Sequence, residues 1–452
     1  MSARRRPKVL AIAEAANPEW VSVPLVGWSL VSALRKVADV HLVTQQRNSD
    51  AIERAGWRRG TDFTELDSER VAGPLWKVAH KLGAASGVGW TLTTAMSMPS
   101  YLWFERLFWQ KFRDQLRAKQ WDVVHRITPL SPTTPSLLGR KLAALGVPFV
   151  VGPLNGGVPW PREFTSARHA EREWLSYVRG AYRLLPGYRG MRDHASALIV
   201  GSHATWQQLG DRWTDKAVYV PENAIPGELF HDEAEKPPYQ PLRVVFVGRL
   251  VPYKGADMLI EACAELVRSG RLTIEIVGDG PQKKDLAQQI DQLGLVSGIS
   301  LSGWLDRNVV AERLRQAHVL GFPSIREFGG GVVLEAMASG AVPVVVDYAG
   351  PAELVTAETG YRIPLGDRAA IVAGFRRQFE SLVADPGALA LQAARGRARI
   401  LRWFTWQRKA EQMADVYAWV LGEGPKPDYG MPFREAEVDP LRGGATQAGV
   451  SA

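Results

Sequence analysis

The chain alternates short apolar runs with longer amphipathic stretches, and this alternation begins close to its N-terminus. Residues 8–13 predict a buried strand, residues 27–37 a helix and residues 40–44 a second strand. The order repeats in the second half of the chain, where helices separate strands predicted at 243–247, 272–277, 299–302, 319–322 and 342–346. Because strands that alternate with helices form parallel sheets, the pattern predicts an α/β protein with two doubly wound, Rossmann-like domains.

An aromatic helix is predicted at 101–119, within the first of these halves. Phe104, Phe108, Phe112 and Leu116 recur at a spacing of four residues, and basic residues occupy much of the opposite side. We favour an amphipathic helix that packs on the sheet. An interfacial helix on a membrane surface has the same pattern and remains the alternative.

Charge is divided unevenly along the chain. Of the net charge of +8, residues 1–220 contribute 30 Lys and Arg against 18 Asp and Glu, or +12, and residues 221–452 contribute 25 against 29, or −4. The first part also holds 12 of the 16 tryptophans. A basic, Trp-rich half could contact an anionic lipid surface or an anionic acceptor, although a solvated basic surface over an aromatic core explains the same counts.

Other features bear on the cellular compartment. No apolar run is long enough to span a bilayer, and the apolar run after the basic N-terminus is too short for a signal peptide. The single cysteine, Cys263, allows no disulfide within the chain, which fits a reducing compartment. We therefore expect a cytoplasmic protein, possibly peripheral on the inner face of the membrane. The Gly-, Pro- and charge-rich residues 422–452 are predicted to be disordered.

The stretch 322–340 carries the strongest chemical signal. An apolar strand end leads into a loop with Glu327, then three glycines from Gly329 to Gly331, then a helix that holds Glu335 in its first or second turn. A glycine-lined helix start presents free backbone N–H groups to an anion, above all a phosphate. The Glu-x7-Glu spacing would then flank that phosphate with two hydroxyl-binding carboxylates, although an ordinary turn and a dipole-favoured glutamate also fit.

Four motifs in order resemble one known family. They are Gly248-Arg249-x4-Lys254-Gly255, Gly278-Asp279-Gly280-Pro281, the Glu327-x7-Glu335 stretch and Gly350-Pro351-x-Glu353. This order is similar to the second domain of retaining glycosyltransferases of family four, the glycosyl transferases group 1, which have the GT-B fold. The resemblance is specific over about 219–417 and weaker before it.

The resemblance implies a domain organisation. It predicts two Rossmann-like domains that face each other across a cleft: an N-terminal acceptor-side domain at 1–217, completed by a C-terminal helix at about 404–421, and a nucleotide-sugar-binding domain at 218–403.

The resemblance also implies roles for residues of the second domain. Arg249 and Lys254 would bind the donor diphosphate and stabilise charge on the leaving nucleotide. Glu335 would hold the ribose hydroxyls, and Glu327 would lie near the donor sugar. The remaining donor-binding residues would be Phe328, Gly329, Gly330 and Gly331, together with Gly278 and Asp279 near the base.

In the first domain, His125 resembles a histidine that faces the donor sugar, and we predict it as a fourth catalytic residue. The position two residues later, often histidine in the family, is Ile127 here. The first loop after a strand lacks the paired glycines that often lie near the acceptor, and Asn155, Gly156 and Gly157 could supply that approach instead. The family loop usually reads Glu-Gly-Phe-Gly, whereas this chain has Glu-Phe-Gly-Gly from Glu327 onwards.

The resulting hypothesis is a retaining hexosyltransferase of the polysaccharide-biosynthesis type. It would use a nucleotide-diphosphate sugar as donor and a hydroxyl of a glycan or lipid-linked sugar as acceptor. No Asp-x-Asp occurs, so no metal and no cofactor are expected, and nucleic acid is not an expected partner. The alternatives are an epimerase or phosphorylase on the same fold, or a non-catalytic nucleotide-sugar-binding protein.

Overall fold

A computed structural model describes residues 5–69, 90–161, 164, 181–227, 236–431 and 433. The chain forms two compact units. The first combines Met1–Ala224 with Trp406–Asp428, and the second combines Ile225–Thr405 with Tyr429–Ala452. The chain therefore passes from the first unit to the second, back to the first, and again to the second.

The first unit contains a seven-stranded parallel sheet in the order β3-β2-β1-β4-β5-β6-β7. Its strands are β1 (Lys8–Ala13), β2 (Asp39–Gln45), β3 (Phe63–Leu66), β4 (Val123–Thr128), β5 (Phe149–Leu154), β6 (Ala197–Val200) and β7 (Ala217–Tyr219). The described helices between them are α1 (Val23–Leu34), α2 (Ser49–Arg54), α3 (Trp90–Arg117), α4 (Gly139–Ala144), α5 (Tyr188–His194) and α6 (His203–Leu209). The edge strand β3 was not predicted, because its four residues lie in a stretch without clear periodicity.

The aromatic repeat of helix α3 lies in the hydrophobic core. Phe104, Phe108, Phe112 and Leu116 are at most 3% exposed and pack into the hydrophobic core on the sheet. The interpretation as a packed amphipathic helix is therefore confirmed, and the alternative that this aromatic face lies on a membrane is wrong, because the face is already covered. The helix begins at Trp90 and not near residue 101, so that Pro99 lies inside it.

The second unit contains a six-stranded parallel sheet in the order β10-β9-β8-β11-β12-β13. Its strands are β8 (Leu242–Val247), β9 (Leu272–Val277), β10 (Ile299–Gly303), β11 (Val319–Phe322), β12 (Val342–Val346) and β13 (Tyr361–Ile363). Its helices are α7 (Ala256–Arg268), α8 (Lys283–Gln292), α9 (Arg307–Gln316), α10 (Gly331–Ala338), α11 (Ala349–Leu354), α12 (Arg368–Ala384) and α13 (Leu389–Trp403). The final helix α14 (Trp406–Val420) packs against α1 of the first unit.

The order of strands in the second sheet positions the predicted motifs. Because all its strands are parallel, their carboxyl ends share one edge, and ligands bind at this edge in open α/β sheets. The loops after β9, β8 and β11 are neighbours there and carry Gly278, Arg249 with Lys254, and Glu327 respectively. Residues far apart in the sequence are thus brought to one edge of one unit.

The described residues of the segment that joins β7 to β8 are only partly exposed. Residues 228–235 lie outside the described residues, but Lys236 is largely buried. Its ammonium donates to the carbonyls of Arg315, Ala317 and Ser339 at 2.7–3.0 Å, and so caps the ends of α9 and α10. The partners of Lys236 come from helix ends that are adjacent only in the fold, so the sequence gives no local signal for its burial.

Two further predictions concern the membrane and the tail. Within the described residues, none of the helices combines the length and the apolar character that crossing a membrane requires. Of the predicted disordered segment 422–452, the structure describes residues up to 431 and Phe433; the rest lies outside the described residues. Phe433 is 3% exposed and stacks on Trp403 with ring centroids 4.8 Å apart, so this part of the tail packs on the second unit.

Candidate active site

Lys254 and Glu327 form the centre of the candidate site. The Lys254 ammonium forms an ion pair and hydrogen bond with the Glu327 carboxylate, and both side chains are mostly buried. The ammonium also lies 5.1 Å from the ring centre of Phe322, at the end of β11. Burial lowers the pKa of Lys254 to about 8. A cation and an anion from two different loops are thus held together at the carboxyl edge of the sheet.

The backbone fixes these two loops to each other. The amide of Ile325 donates to the carbonyl of Tyr253 at 2.9 Å, which ties the Glu327 loop to the Lys254 loop. Gly255 has a φ of +76°, and a Cβ there would stand 2.6 Å from the carbonyl oxygen of Pro323. Only glycine allows this close approach. The spacing of the Lys254-Gly255 motif therefore has a structural reason, since the glycine lets the two loops touch.

The glycine-lined helix start is formed as predicted. Helix α10 begins at Gly331, and Gly330 before it has the left-handed φ of +58°. The carbonyl of Glu327 accepts from the amide of Gly350 at 3.2 Å, and a Cβ on Gly350 would stand 2.2 Å from the carbonyl oxygen of Phe328. The Glu327–Gly330 loop therefore packs on the start of α11. This arrangement leaves the first amides of α10 without helical partners, which suits an anion.

Arg249 lies on the neighbouring loop and has an exposed side chain. Among the described residues, its guanidinium forms no hydrogen bond or ion pair, whereas the Lys254 ammonium pairs with Glu327. Gly278, with a φ of +141°, packs against this loop so closely that a Cβ would stand 1.9 Å from the Gly248 carbonyl oxygen. The Asp279 carbonyl accepts from the Leu250 amide at 2.9 Å. Gly278 and Asp279, which were predicted to lie near the base, therefore belong to the same edge of the sheet as Arg249.

The side chain of Asp279 has a partner of its own. Its carboxylate pairs with Lys283 at 2.9 Å and accepts from the Gly280 amide, and the bond to Lys283 lowers its pKa. Asp279 therefore fixes the start of α8, and its carboxylate is already engaged.

Glu335 pairs with a residue that the sequence did not indicate. Its carboxylate oxygen lies 3.5 Å from a guanidinium nitrogen of Arg307, the first residue of α9. Burial raises the pKa of Glu335, and Arg307 opposes that rise. Sequence analysis missed Arg307 because the two residues are 28 positions apart; only the packing of α9 against α10 brings them together.

His125 has a different environment from the one predicted. It is fully buried in the first unit, where its Nε2–H donates to the Gly152 carbonyl at 2.7 Å and its Nδ1 accepts from the Tyr417 hydroxyl at 2.7 Å. Burial lowers its pKa to about 4, so the ring is neutral. Because both ring nitrogens are engaged, this geometry does not support contact between His125 and a sugar; it links β4 to helix α14.

The predicted acceptor-side residues are also engaged within the protein. Asn155 is 5% exposed; its amide donates to Glu222 at 2.7 Å and its oxygen accepts from Ser202 at 2.8 Å. Gly157 has a φ of +71°, and its carbonyl accepts from Gln208. Asn155 thus holds together the carboxyl ends of β5, β6 and β7, and the carbonyls of Gly156 and Gly157 accept from side chains of α6.

Comparison with known proteins finds a family match in the second unit. Residues 229–383 match the family described as glycosyl transferases group 1. This part of the chain is similar to the group 1 glycosyltransferases. The match contains Arg249, Lys254, Glu327 and Glu335, and the resemblance predicted from the motifs is confirmed over this range.

The chain is also similar to individual curated proteins. The chain is 29% identical to a glycogen synthase of Mycobacterium tuberculosis over 251 residues. The aligned region covers 55% of this chain and 56% of that protein. The chain is 28% identical over 179 residues to a 2-deoxystreptamine glucosyltransferase of Streptomyces kanamyceticus, which covers 39% and 46%. The chain thus spans about half the length of these curated relatives.

A solved structure is similar to most of the chain, although the sequence identity between the two is low. The crystal structure of Anabaena HepE in complex with UDP superposes with a TM-score of 0.61 over 91% of this chain and 99% of that chain, at 16% identity. The likeness shows the fold alone, and it confirms the predicted GT-B class with its two α/β domains. Within the described residues, no group of three or more His, Cys, Asp or Glu side chains could hold a metal ion.

Proposed function

We propose that this protein is a retaining glycosyltransferase that moves a hexosyl unit from a nucleotide-diphosphate sugar to a hydroxyl of a glycan or lipid-linked sugar. The observation that carries the proposal is the Lys254–Glu327 pair beside the glycine-lined start of α10. It offers a cation and free amides for a diphosphate, and a carboxylate for sugar hydroxyls. The family match over this region and the names of the relatives support the same class of reaction.

The charges of the site fit the departure of a nucleoside diphosphate. When the bond between the sugar and the phosphate breaks, negative charge grows on the leaving phosphate. Lys254 is already held in place by Glu327, so little reorganisation is needed for it to stabilise that charge. Arg249 is exposed and has no described partner, which leaves its guanidinium available for the second phosphate.

We assign the remaining roles from position. Glu335 binds the ribose hydroxyls, with Arg307 as the side chain that orients its carboxylate. Gly329, Gly330 and Gly331 offer backbone amides to the phosphate. In this proposal the donor phosphate oxygen accepts the proton of the acceptor hydroxyl on the same face of the sugar, so the protein supplies no nucleophile, and no metal is required. His125 acts as a positioning residue within the first unit.

We also propose that the first unit contacts an anionic surface, of a lipid or of the acceptor. The support is the charge of +12 over residues 1–220. The aromatic face of α3 is buried against the sheet and does not contribute to this surface.

The experiment that tests the transferase proposal measures released nucleotide and transferred sugar with a panel of nucleotide sugars and hydroxyl acceptors. We expect Lys254→Ala and Glu327→Ala to abolish transfer, by at least about 100-fold, because each removes a charge aimed at the reacting groups. Exposed residues of the same unit provide the controls Lys284→Ala and Glu358→Ala, which should retain activity.

The other outcomes are equally informative. Near-normal transfer by both site variants, with donor in excess, would remove the site assignment. Turnover of a nucleotide sugar without acceptor would indicate an epimerase instead, and tight nucleotide binding without transfer to any acceptor would indicate a binding protein.

A further inference from the structure

The amino edge of the first sheet, opposite the edge that carries Asn155, holds two adjoining cavities. Their volumes are about 560 and about 510 Å³, and the side chains of His41 and Trp121 line both. The walls come from residues at or just before the starts of four neighbouring strands, β3, β2, β1 and β4, and from the last third of α3. We call this concave surface the amino-edge groove. None of its described lining residues has a role in the proposed transfer.

A fixed aromatic pair stands at the centre of the amino-edge groove. The rings of His41 and Trp121 lie 5.8 Å apart, and the indole Nε1–H of Trp121 donates to Oε1 of Gln115 at 3.0 Å. His41 donates from Nδ1 to the Thr61 carbonyl at 3.1 Å and accepts at Nε2 from the Thr64 hydroxyl at 2.8 Å. Burial lowers the pKa of His41, so the pair is uncharged at neutral pH. Trp121 is only partly buried, so an indole whose orientation is already fixed remains accessible from the groove.

The charged side chains of the groove divide into those with a partner and those without one. Three arginines are paired with carboxylates: Arg6 with Asp39 at 3.5 Å, Arg35 with Asp62 at 3.2 Å and Arg59 with Glu65 at 2.8 Å. The ammonium groups of Lys8 and Lys111 are exposed and form no hydrogen bond or ion pair with another described residue. Lys8 lines one cavity and Lys111 lines the other, so two cations without a partner flank the ring of Trp121.

This combination argues against two simpler occupants. An aromatic side chain that inserts into a membrane must project from the surface, whereas Trp121 lies in a concavity and is partly buried. A small inorganic anion would make no use of the indole. A saccharide that carries an acidic group uses every feature of the groove: the C–H face of a sugar ring packs on the indole, its hydroxyls bond to polar walls such as Gln120, and its carboxylate or phosphate meets an ammonium.

We propose that the amino-edge groove is a second glycan-binding site, which holds an acidic saccharide away from the reacting end of the acceptor. The site stands on its own contacts, whereas its role in holding the acceptor rests on the proposed function. A strand of six residues such as β1 separates the two edges of the sheet by about 20 Å. A chain that also reaches the carboxyl edge must therefore be several sugar units long.

Calorimetric titration of the full-length protein, without any donor, tests the site. The probes are a hexasaccharide of galacturonic acid, which is acidic, and maltohexaose, which has the same length and no charge. We expect the wild type to bind the acidic probe about tenfold more tightly than the neutral one. The double variant Lys8→Ala/Lys111→Ala should weaken binding of the acidic probe by about tenfold or more, and the control Lys284→Ala should equal the wild type.

Substitution of Trp121 tests the aromatic surface separately from the charge. Trp121→Ala should weaken binding of both probes about fivefold, and Trp121→Phe should retain most of the affinity. Thermal unfolding shows whether each variant is folded. If Trp121→Ala does not fold, the double lysine variant decides the case, because both of its side chains are exposed.

The opposite results overturn defined parts of the proposal. No binding of the acidic hexasaccharide by the wild type, or the same Kd in the double lysine variant, would remove the site, and equal affinity for both probes would remove the acidic class of ligand. Binding to anionic vesicles that the double variant loses, without binding of the hexasaccharide, would assign the groove to a lipid headgroup instead.

These titrations contain no donor, so their result does not depend on whether the protein transfers sugar. The role in holding the acceptor has its own readout. With a long acidic acceptor, the double lysine variant should raise the KM for that acceptor and leave kcat unchanged. An unchanged KM would overturn the role and leave the binding site in place.

Discussion

At the scale of single residues, the site depends on a lysine in a setting that is unusual for its charge. Lys254 is mostly buried, pairs with Glu327 and lies against Phe322. Burial lowers its pKa from 10.5 to about 8, so that its charge is lost within an accessible range of pH. This response to alkali distinguishes Lys254 from an arginine at the same position, because a guanidinium stays protonated.

The pH dependence of kcat/KM tests the charge of Lys254. In the folded protein the amine loses its proton near pH 8, whereas the unfolded chain keeps it until about 10.5. Diphosphate binding needs the cation, so kcat/KM should fall as pH rises through about 8. Burial of the charge also costs stability below that pH, and this cost is relieved as pH rises from 8 to 10.5.

Lys254→Arg provides the comparison for the pH profile. If this variant is active, its kcat/KM should not decline above pH 8, because a guanidinium stays protonated. The same decline in Lys254→Arg and the wild type would assign the titration to another group.

At the scale of elements, the site is made by loops that meet only because glycines allow their backbones to touch. Gly255 touches the Pro323 carbonyl, Gly278 touches the Gly248 carbonyl, and Gly350 touches the Phe328 carbonyl. Each contact joins two segments that follow different strands of the second sheet. The motif glycines therefore set the distances between charged side chains in addition to offering amides to the ligand.

Gly278→Ala should show whether the contact between the loops positions the charged side chains. The added Cβ would stand 1.9 Å from a carbonyl oxygen, so the two loops must move apart. We expect donor affinity to fall by more than about tenfold, since a displacement of about 1 Å can cost 100-fold. Gly270→Ala is the control: its φ of +69° is equally left-handed but a Cβ there meets nothing. That variant should lose about 1–2 kcal/mol of unfolding free energy and keep its donor affinity.

Calorimetric donor titration and chemical denaturation of both glycine variants check this prediction. Wild-type donor affinity in Gly278→Ala would show that the contact between the loops does not position the site.

The sequence predicted the strands around the site well, but it did not predict which side chains contact the site residues. The apolar runs gave β1, β9 and β12 with their observed bounds, because buried parallel strands have a strong local pattern. The resemblance to the family implied that Glu327 and Lys254 belong to one donor site, and the structure pairs them. The engagement of His125 by Tyr417 and the pairing of Glu335 with Arg307 were missed, because both contacts depend on packing between helices and strands far apart in the chain.

At the scale of the whole molecule, charge and chemistry are divided between the two units. Residues 1–220 carry +12, whereas residues 221–452 carry −4 together with every predicted donor-binding residue. The chain returns from the second unit to the first at α14, and the tail after residue 428 belongs to the second unit again. The positive charge of residues 1–220 is of the sign that an anionic acceptor or lipid surface would attract.

Sedimentation with lipid vesicles tests the charge of the first unit. We expect the full-length protein to bind anionic vesicles at low salt and to be released at high salt, because surface charge is screened beyond about 10 Å at 0.1 M salt. Zwitterionic vesicles are the control. Absence of binding to anionic vesicles at low salt would discard the lipid surface and leave an anionic acceptor to explain the charge.

The account depends most on the claim that Arg249 and Lys254 jointly hold the donor diphosphate. The direct measurement is the Kd of the best nucleoside diphosphate for the wild type, Arg249→Ala, Lys254→Ala, the double variant and the control Lys284→Ala. We predict that each single variant weakens binding by about tenfold or more, since a charge-assisted hydrogen bond contributes roughly 1.5–3 kcal/mol, that the double variant binds most weakly, and that the control matches the wild type. Unchanged affinity in both single variants and in the double variant would contradict the account.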